Sequence, residues 1–204
     1  AREETRAERR ARARADLGLD AYRPTLLVSG GSQGAVAINE AVIVARERLL
    51  ADGVQILHVL GPKNIQGATA VTDESTGASW LPVGYVDDMA SAYAAADLMM
   101  ARSGAGTVVE TATVGLPTIY VPLPHGNGEQ ARNATLAVDA GAGVVVANAD
   151  LDAERLLAET SRIHDTDALA RMSAAGRGLM PAHAAEEMAV RVILAARSIG
   201  PTTV

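Results

Sequence analysis

The chain has no cysteine, no phenylalanine, one tryptophan and a single lysine, Lys63, among 204 residues. Without cysteine there are no disulfides, no thiol nucleophile and no thiolate metal site. Aromatic residues make up 2% although hydrophobic residues reach 49%, so Ala, Val, Leu, Ile and Met must fill the interior. Such a core suits helices packed closely on a sheet. No run approaches the length of a transmembrane helix and no signal peptide is recognisable; a soluble, cytoplasmic protein is expected. The formal charge of -6 argues against general nucleic-acid binding, which needs a basic face to neutralise phosphates. What is present, 21% charged residues beside the apolar half, is the balance of a globular domain.

Residues 1–16, AREETRAERRARARAD, carry six arginines in the first fourteen positions, interleaved with acids and alanines at spacings that suit a solvated helix. Residues 1–23 read as an Arg-rich lead-in or interdomain linker, the alternative being a basic patch for an anionic partner. Residues 24–204 read as one domain, with helices from about 151 onward. Apolar runs at 25–30, 54–61, 80–86, 98–102, 117–123 and 143–148 predict strands, and 35–53, 87–97, 103–115 and 129–141 predict helices. The polar stretch 62–77 has no clear period and reads as loop. About six strands alternating with helices imply an α/β, Rossmann-like, doubly wound parallel sheet with helices on both faces. Ligands of such sheets sit beyond the C-terminal strand ends, where the strand order reverses. The loops to inspect therefore follow Ser29, Val86, Arg102 and Leu123.

SGGSQGA, 29–35, lies between a strand and a helix, where glycines let a ligand approach the backbone and the helix start offers free N–H groups to an anion. It lacks both the GxGxxG spacing and the P-loop lysine; a plain glycine turn with Ser32 as helix cap is the competing reading. YVDDMA, 85–90, sets two carboxylates at a helix start, which suits capping better than a cation site. RSGAGTVVE, 102–110, places five small residues at a strand-to-helix turn where a phosphate could meet backbone amides, with Glu110 two turns on, fit to accept two hydroxyls of a ribose. The competing reading is close helix–sheet packing. PLPHGNGEQARN, 122–133, presents His125, Glu129, Gln130 and Asn133, groups that suit sugar hydroxyls, unless it is a surface turn. His58, His164 and His183 read as structural. Together these loops favour a phosphorylated, hydroxyl-rich ligand, a nucleotide-sugar.

GGSQGA (30–35), YVDDMASAYAAADL (85–98), RSGAGTVVE (102–110), GLPTIYVPLPH (115–125) and EQARNA (129–134) resemble, in order and spacing, the C-terminal half of the MurG family, bacterial glycosyltransferases of peptidoglycan synthesis. The resemblance is firm over 24–148 and looser beyond. It implies one half of a GT-B enzyme, binding the donor UDP-GlcNAc with no further cofactor and no metal, and transferring GlcNAc to lipid I to form lipid II. Carried over by motif, Ser32, Gln33 and Gly34 meet the diphosphate, and the backbone of Val86, beside Tyr85, pairs with uracil. Ala105, Gly106 and Thr107 face the phosphates and sugar, Glu110 holds the ribose, and Glu129, Gln130 and Asn133 read GlcNAc. Arg2 matches an arginine lying over the uracil.

The same resemblance implies an N-terminal acceptor domain outside this chain, lipid I reached through it, and peripheral contact with the cytoplasmic face of the inner membrane. No catalytic base is assignable in this half, with His125 the minor candidate, so the chain alone is expected to bind UDP-GlcNAc without turnover. Two positions depart from the family pattern. Gly106 stands where a larger apolar residue is common, and Glu129 stands in place of Gln. The competing functions are another GT-B enzyme with a different UDP-sugar and a lipid acceptor, an inert nucleotide-binding module, and a dinucleotide oxidoreductase, the last weakened by the glycine spacing after Ser29.

Overall fold

A computed structural model of the chain describes residues 4–31, 35–125, 127–179 and 184–198. In chain order the elements are α1 (Arg6–Asp16), β1 (Thr25–Ser29), α2 (Val36–Ala51), β2 (Gln55–Val59), β3 (Val71–Thr72), β4 (Ser79–Val83), α3 (Met89–Ala95), β5 (Leu98–Ala101), α4 (Ala105–Val114), β6 (Thr118–Tyr120), α5 (Glu129–Asp139), β7 (Gly143–Val145), α6 (Ala153–Thr160), α7 (Thr166–Arg177) and α8 (Ala184–Ser198). The sheet runs β3-β4-β2-β1-β5-β6-β7. Every neighbouring pair is parallel except β3 with β4. The order reverses between β1 and β5, so ligands are expected at the C-terminal ends of those two strands.

The sheet has seven strands rather than about six. The added strand, β3, lies in the stretch whose composition reads as loop. Asp73 forms the turn that folds it back: its Oδ1 accepts from the amides of Ser75 and Thr76, and its carbonyl accepts from Gly77. Two exposed residues paired at a sheet edge are too few to show a period of two.

The central parallel strands β1, β2, β5 and β6 are short and apolar because both faces are covered. Leu26, Val28, Ile56, Met100 and Ile119 pack against Ile38 and Val42 of α2 and Leu156 of α6. Leu27, Leu57 and Met99 pack on the other face with Ala92 and Tyr93 of α3. Tyr120 meets Val108 of α4 and Ala134 and Ala137 of α5 on that same face. The alanines at these contacts let helices approach the sheet closely, which is how the core closes without phenylalanine.

One polar chain crosses this core. The Trp80 indole donates to Nδ1 of His58 at 3.2 Å, His58 Nε2 meets Asn39 Oδ1 at 3.1 Å, and Asn39 Nδ2 donates to the Leu60 carbonyl at 3.1 Å. Because the indole can only donate, His58 is neutral with its proton on Nε2. Burial pushes its pKa down to about 4. The neutral form is thus the folded form, so the stabilisation is complete above the unfolded value of 6.5 and is lost as pH falls toward 4. Stability is expected to drop by about 2 kcal/mol between pH 7 and pH 5 from this residue. Urea titrations at the two pH values, with the His58 imidazole shift followed by NMR, check it; an imidazole titrating near its ordinary value in the folded protein would rule it out.

The Arg-rich start forms a capped helix, with Thr5 and Glu8 in a reciprocal capping box. It is not a freely solvated one. Ala13 and Arg14 are buried, and Arg14 donates to the carbonyls of Ala95 and Ala21 and to Asp97 Oδ2 at 2.7 Å. Residues 17–24 are fastened by Gln55, whose amide bonds both the N–H and the carbonyl of Asp20.

Candidate functional site

Helix α4 starts at Ala105 directly beyond the end of β5, on one side of the reversal. Its N-cap, Gly104, is extended (φ -61, ψ 150) and supplies no side-chain cap. The first-turn amides therefore lack side-chain acceptors, at the positive end of the helix dipole. A Cβ on Gly104 would meet nothing within 4 Å, and one on Gly106 only Glu110 Oε1 at 3.8 Å. Neither glycine is demanded by close helix–sheet packing. They leave open space in front of unused donors, the arrangement that binds anions.

Glu110 stands on the same helix, two turns in. Its Oε2 accepts from the Tyr93 hydroxyl at 2.7 Å, while Oε1 makes no hydrogen bond among the described residues. Burial, then the hydrogen bond from Tyr93 to Glu110, pushes the phenol pKa upward, so Tyr93 stays a donor. Tyr85, Val86, Tyr93, Thr107 and Glu110 line a cleft of about 220 Å³ together with Ser29, the last residue of β1. Tyr85 is 65% exposed, so its ring is accessible to a flat ligand. Asp88 caps α3, accepting from the Ser91 amide and hydroxyl, and these bonds hold its carboxyl below the usual range, the hydroxyl first. The second acid of YVDDMA is thereby used as a helix cap.

The loop after β6 is held from below. Arg102 Nη1 donates to the carbonyls of Val121 and Pro122 at 3.0 and 3.1 Å and to Asn148 Oδ1 at 2.7 Å. Asn133 Nδ2 donates to the Ser103 carbonyl at 3.2 Å, tying α5 to the α4 turn. Gln130 uses Oε1 to accept from the Leu123 amide at 3.0 Å, which leaves its NH₂ group for a ligand. Glu129 and His125 are exposed and make no hydrogen bond among the described residues. Helix α5 begins at Glu129 after Gly128, whose φ of 74 lies where glycine is favoured.

Ser32, Gln33, Gly34 and Arg2, together with His183, lie outside the described residues. Helix α2 itself starts at Val36 with Ala35 as N-cap; the reading of Ser32 as a helix cap falls on residues outside those described. The structure thus gathers Tyr85, Val86, Thr107 and Glu110 around one cleft, and connects Gln130 and Asn133 to the neighbouring loops. Sequence reasoning did not single out Tyr93 or Arg102 as parts of the site. Tyr93 is 17 positions from Glu110 and Arg102 46 from Asn148, separations over which no local period operates.

Residues 25–188 match the glycosyltransferase family 28 C-terminal domain. Over 199 residues the chain is 88% identical to the UDP-N-acetylglucosamine--N-acetylmuramyl-(pentapeptide) pyrophosphoryl-undecaprenol N-acetylglucosamine transferase of Cutibacterium acnes, covering 98% of this chain and 54% of that protein. The protein of the same description from a Nocardioides species is 49% identical over 190 residues, covering 93% of this chain and 52% of its own length. The crystal structure of MurG from Acinetobacter baumannii matches with a TM-score of 0.70 and 28% identity, over 81% of this chain and 50% of that one. The chain spans about half the length of these relatives, and its fold is that of one half of a GT-B glycosyltransferase. By the match over most of its length, the chain belongs to glycosyltransferase family 28, whose C-terminal domain it carries.

Proposed function

We propose that this chain is the donor-binding half of an inverting transferase that moves GlcNAc from UDP-GlcNAc to lipid I, forming lipid II. The observation that carries the reading is the uncapped start of α4 at the reversal of strand order, with a carboxylate oxygen of Glu110 left free beside it. The diphosphate lies on the amides of Ala105, Gly106 and Thr107, and by the motif resemblance Ser32, Gln33 and Gly34 also meet it. Uracil lies against Tyr85 and the Val86 backbone beneath Arg2, and the ribose hydroxyls bond Glu110. Gln130, through its NH₂ group, and Asn133 face GlcNAc, with Glu129 at the rim.

Transfer forms a bond from the acceptor oxygen to the anomeric carbon and breaks the bond to the diphosphate. Charge then grows on the departing UDP, where helix amides and dipole are already oriented to receive it. The base that takes the acceptor proton is assigned to the other half of the enzyme, with His125 as the candidate in this one. The acceptor domain and contact with the cytoplasmic membrane face belong to the same reading. Among the described residues no helix is long and apolar enough to cross a membrane.

Calorimetry with UDP-GlcNAc, UDP-galactose and UDP-glucose, paired with amide shifts at Val86, Thr107 and Glu110, tests the assignment. UDP-GlcNAc is expected to bind best and to move all three, with no turnover of lipid I by the chain alone. Preference for galactose, or silent amides, would overturn it. In the same assay Glu129→Gln is expected to change donor affinity by no more than about 0.5 kcal/mol, as for an exposed side chain with no hydrogen bond among the described residues.

A further inference from the structure

The opposite end of the sheet carries a second cleft, with arginines set in a largely apolar lining. It has a volume of about 760 Å³ and lies between α1 and α7, lined by Arg6, Arg10, Arg14, Pro117 and Ser173 among others. Pro117 directly precedes β6 and Asp97 directly precedes β5, which places it at the N-terminal strand ends. Helix α4 separates the two clefts, with its start at the candidate donor site and Gly115 at this end, about 15 Å away.

Charge here is out of balance. Arg10 and Arg14 both bind the single carboxylate of Asp97, at 2.7 Å each. Arg6 and Arg177 have no carboxylate partner among the described residues. Their Nη1 atoms instead converge on one hydroxyl, that of Ser173, at 3.3 and 2.8 Å. Ser173 gives its own proton to the Gly115 carbonyl at 2.5 Å, so its oxygen is saturated by the two guanidinia. Each guanidinium keeps further N–H donors free. Asp165, beside the lining residue Thr166, is used to cap α7. The C-terminal dipole of α4 offsets only about half a charge. Three guanidinia of the lining, with that of Arg177 beside them on the Ser173 hydroxyl, thus stand against the one carboxylate of the lining, Asp97, in a chain whose overall charge is -6.

We infer that the cleft between α1 and α7 binds a phosphate-bearing anion through Arg6 and Arg177, held above the Ser173 hydroxyl. Two planar forks arriving from separate helices suit a tetrahedral, multiply charged group, which can bond each fork through different oxygens. The site is separate from the α4 start and does not depend on what binds there. A free phosphate compound and an anionic lipid headgroup present the same group, and two probes separate them.

The chain is titrated with inorganic pyrophosphate, with UDP present to occupy the α4 start, and the amides of Gly115, Ser173 and Arg177 are followed by NMR. In parallel it is sedimented with vesicles of phosphatidylglycerol or of phosphatidylcholine. Saturable shifts with pyrophosphate identify a soluble phosphate ligand; retention on phosphatidylglycerol vesicles alone identifies a headgroup. In either case Arg6→Gln and Arg177→Gln are each expected to weaken binding about tenfold. Arg6→Gln removes a single hydrogen bond of 3.3 Å, so its thermal midpoint should match that of the unsubstituted chain, which separates lost binding from lost folding. The inference fails if neither probe acts on the three amides or the vesicles, or if the double variant Arg6→Gln/Arg177→Gln binds as the unsubstituted chain does.

Discussion

Asp97→Ala is expected to destabilise the chain by about 3–5 kcal/mol, the usual cost of removing one partner from a buried ion pair. Arg14 is 3% exposed, so most of its side chain is out of contact with water. Its three hydrogen bonds go to Ala95, Ala21 and Asp97, and only the last supplies opposite charge. The same carboxylate accepts the Thr25 amide at 2.8 Å, at the first residue of β1, and binds Arg10. Alanine would leave a buried cation and an unpaired strand amide together. With the total stability of a domain at about 5–15 kcal/mol, the loss is a large share, and a fall in thermal midpoint of about 10 °C is expected. Asp97→Asn should lie between the two, because an amide oxygen still accepts from Thr25. Circular dichroism melts check the series. A midpoint within two degrees of the unsubstituted chain would mean that Arg14 leaves the core at little cost. The double variant Arg14→Met/Asp97→Leu should recover much of the loss, since a buried ion pair exchanged for packed apolar groups is often neutral.

Glu110→Ala is expected to weaken UDP binding about a hundredfold, in line with about 1.5–3 kcal/mol for each hydrogen bond to a charged group. Glu110 is exposed and, among the described residues, hydrogen-bonded only by Tyr93, so the substitution should leave the thermal midpoint nearly unchanged, which separates a binding effect from a folding one. Tyr93→Phe should act in the same direction and more weakly, because it frees the carboxylate to rotate without removing it. Titration calorimetry with UDP reads all three proteins. An affinity for Glu110→Ala within twofold of the parent would show that the ribose lies elsewhere.

Much of the fold could be read from hydrophobic periodicity. TLLVS, QILHV and LMMA are continuous apolar runs because each is buried on both faces, and the sheet between them is parallel for the same reason. The strand ends were legible to within a few residues, and Asp88 as a helix cap was legible from residue type alone. β3 was not, because two residues at an edge carry no pattern. Neither was the docking of α1, whose arginines look solvated at one-dimensional spacing. Arg14 is buried because a carboxylate 83 positions away meets it.

At the candidate site the division is similar. The small residues of RSGAGT and the carboxylate two turns beyond them are local features, set by what a helix start without side-chain bulk can do, and the sequence by itself determined them. The tertiary structure alone decided that Tyr93 orients Glu110, that Arg102 holds the β6 loop, and that Gln130 has only its NH₂ group free. Each of these joins elements that strand order, not chain order, makes adjacent. A periodic pattern reports which face of an element is buried, but which partner covers that face depends on the crossovers that wind the sheet.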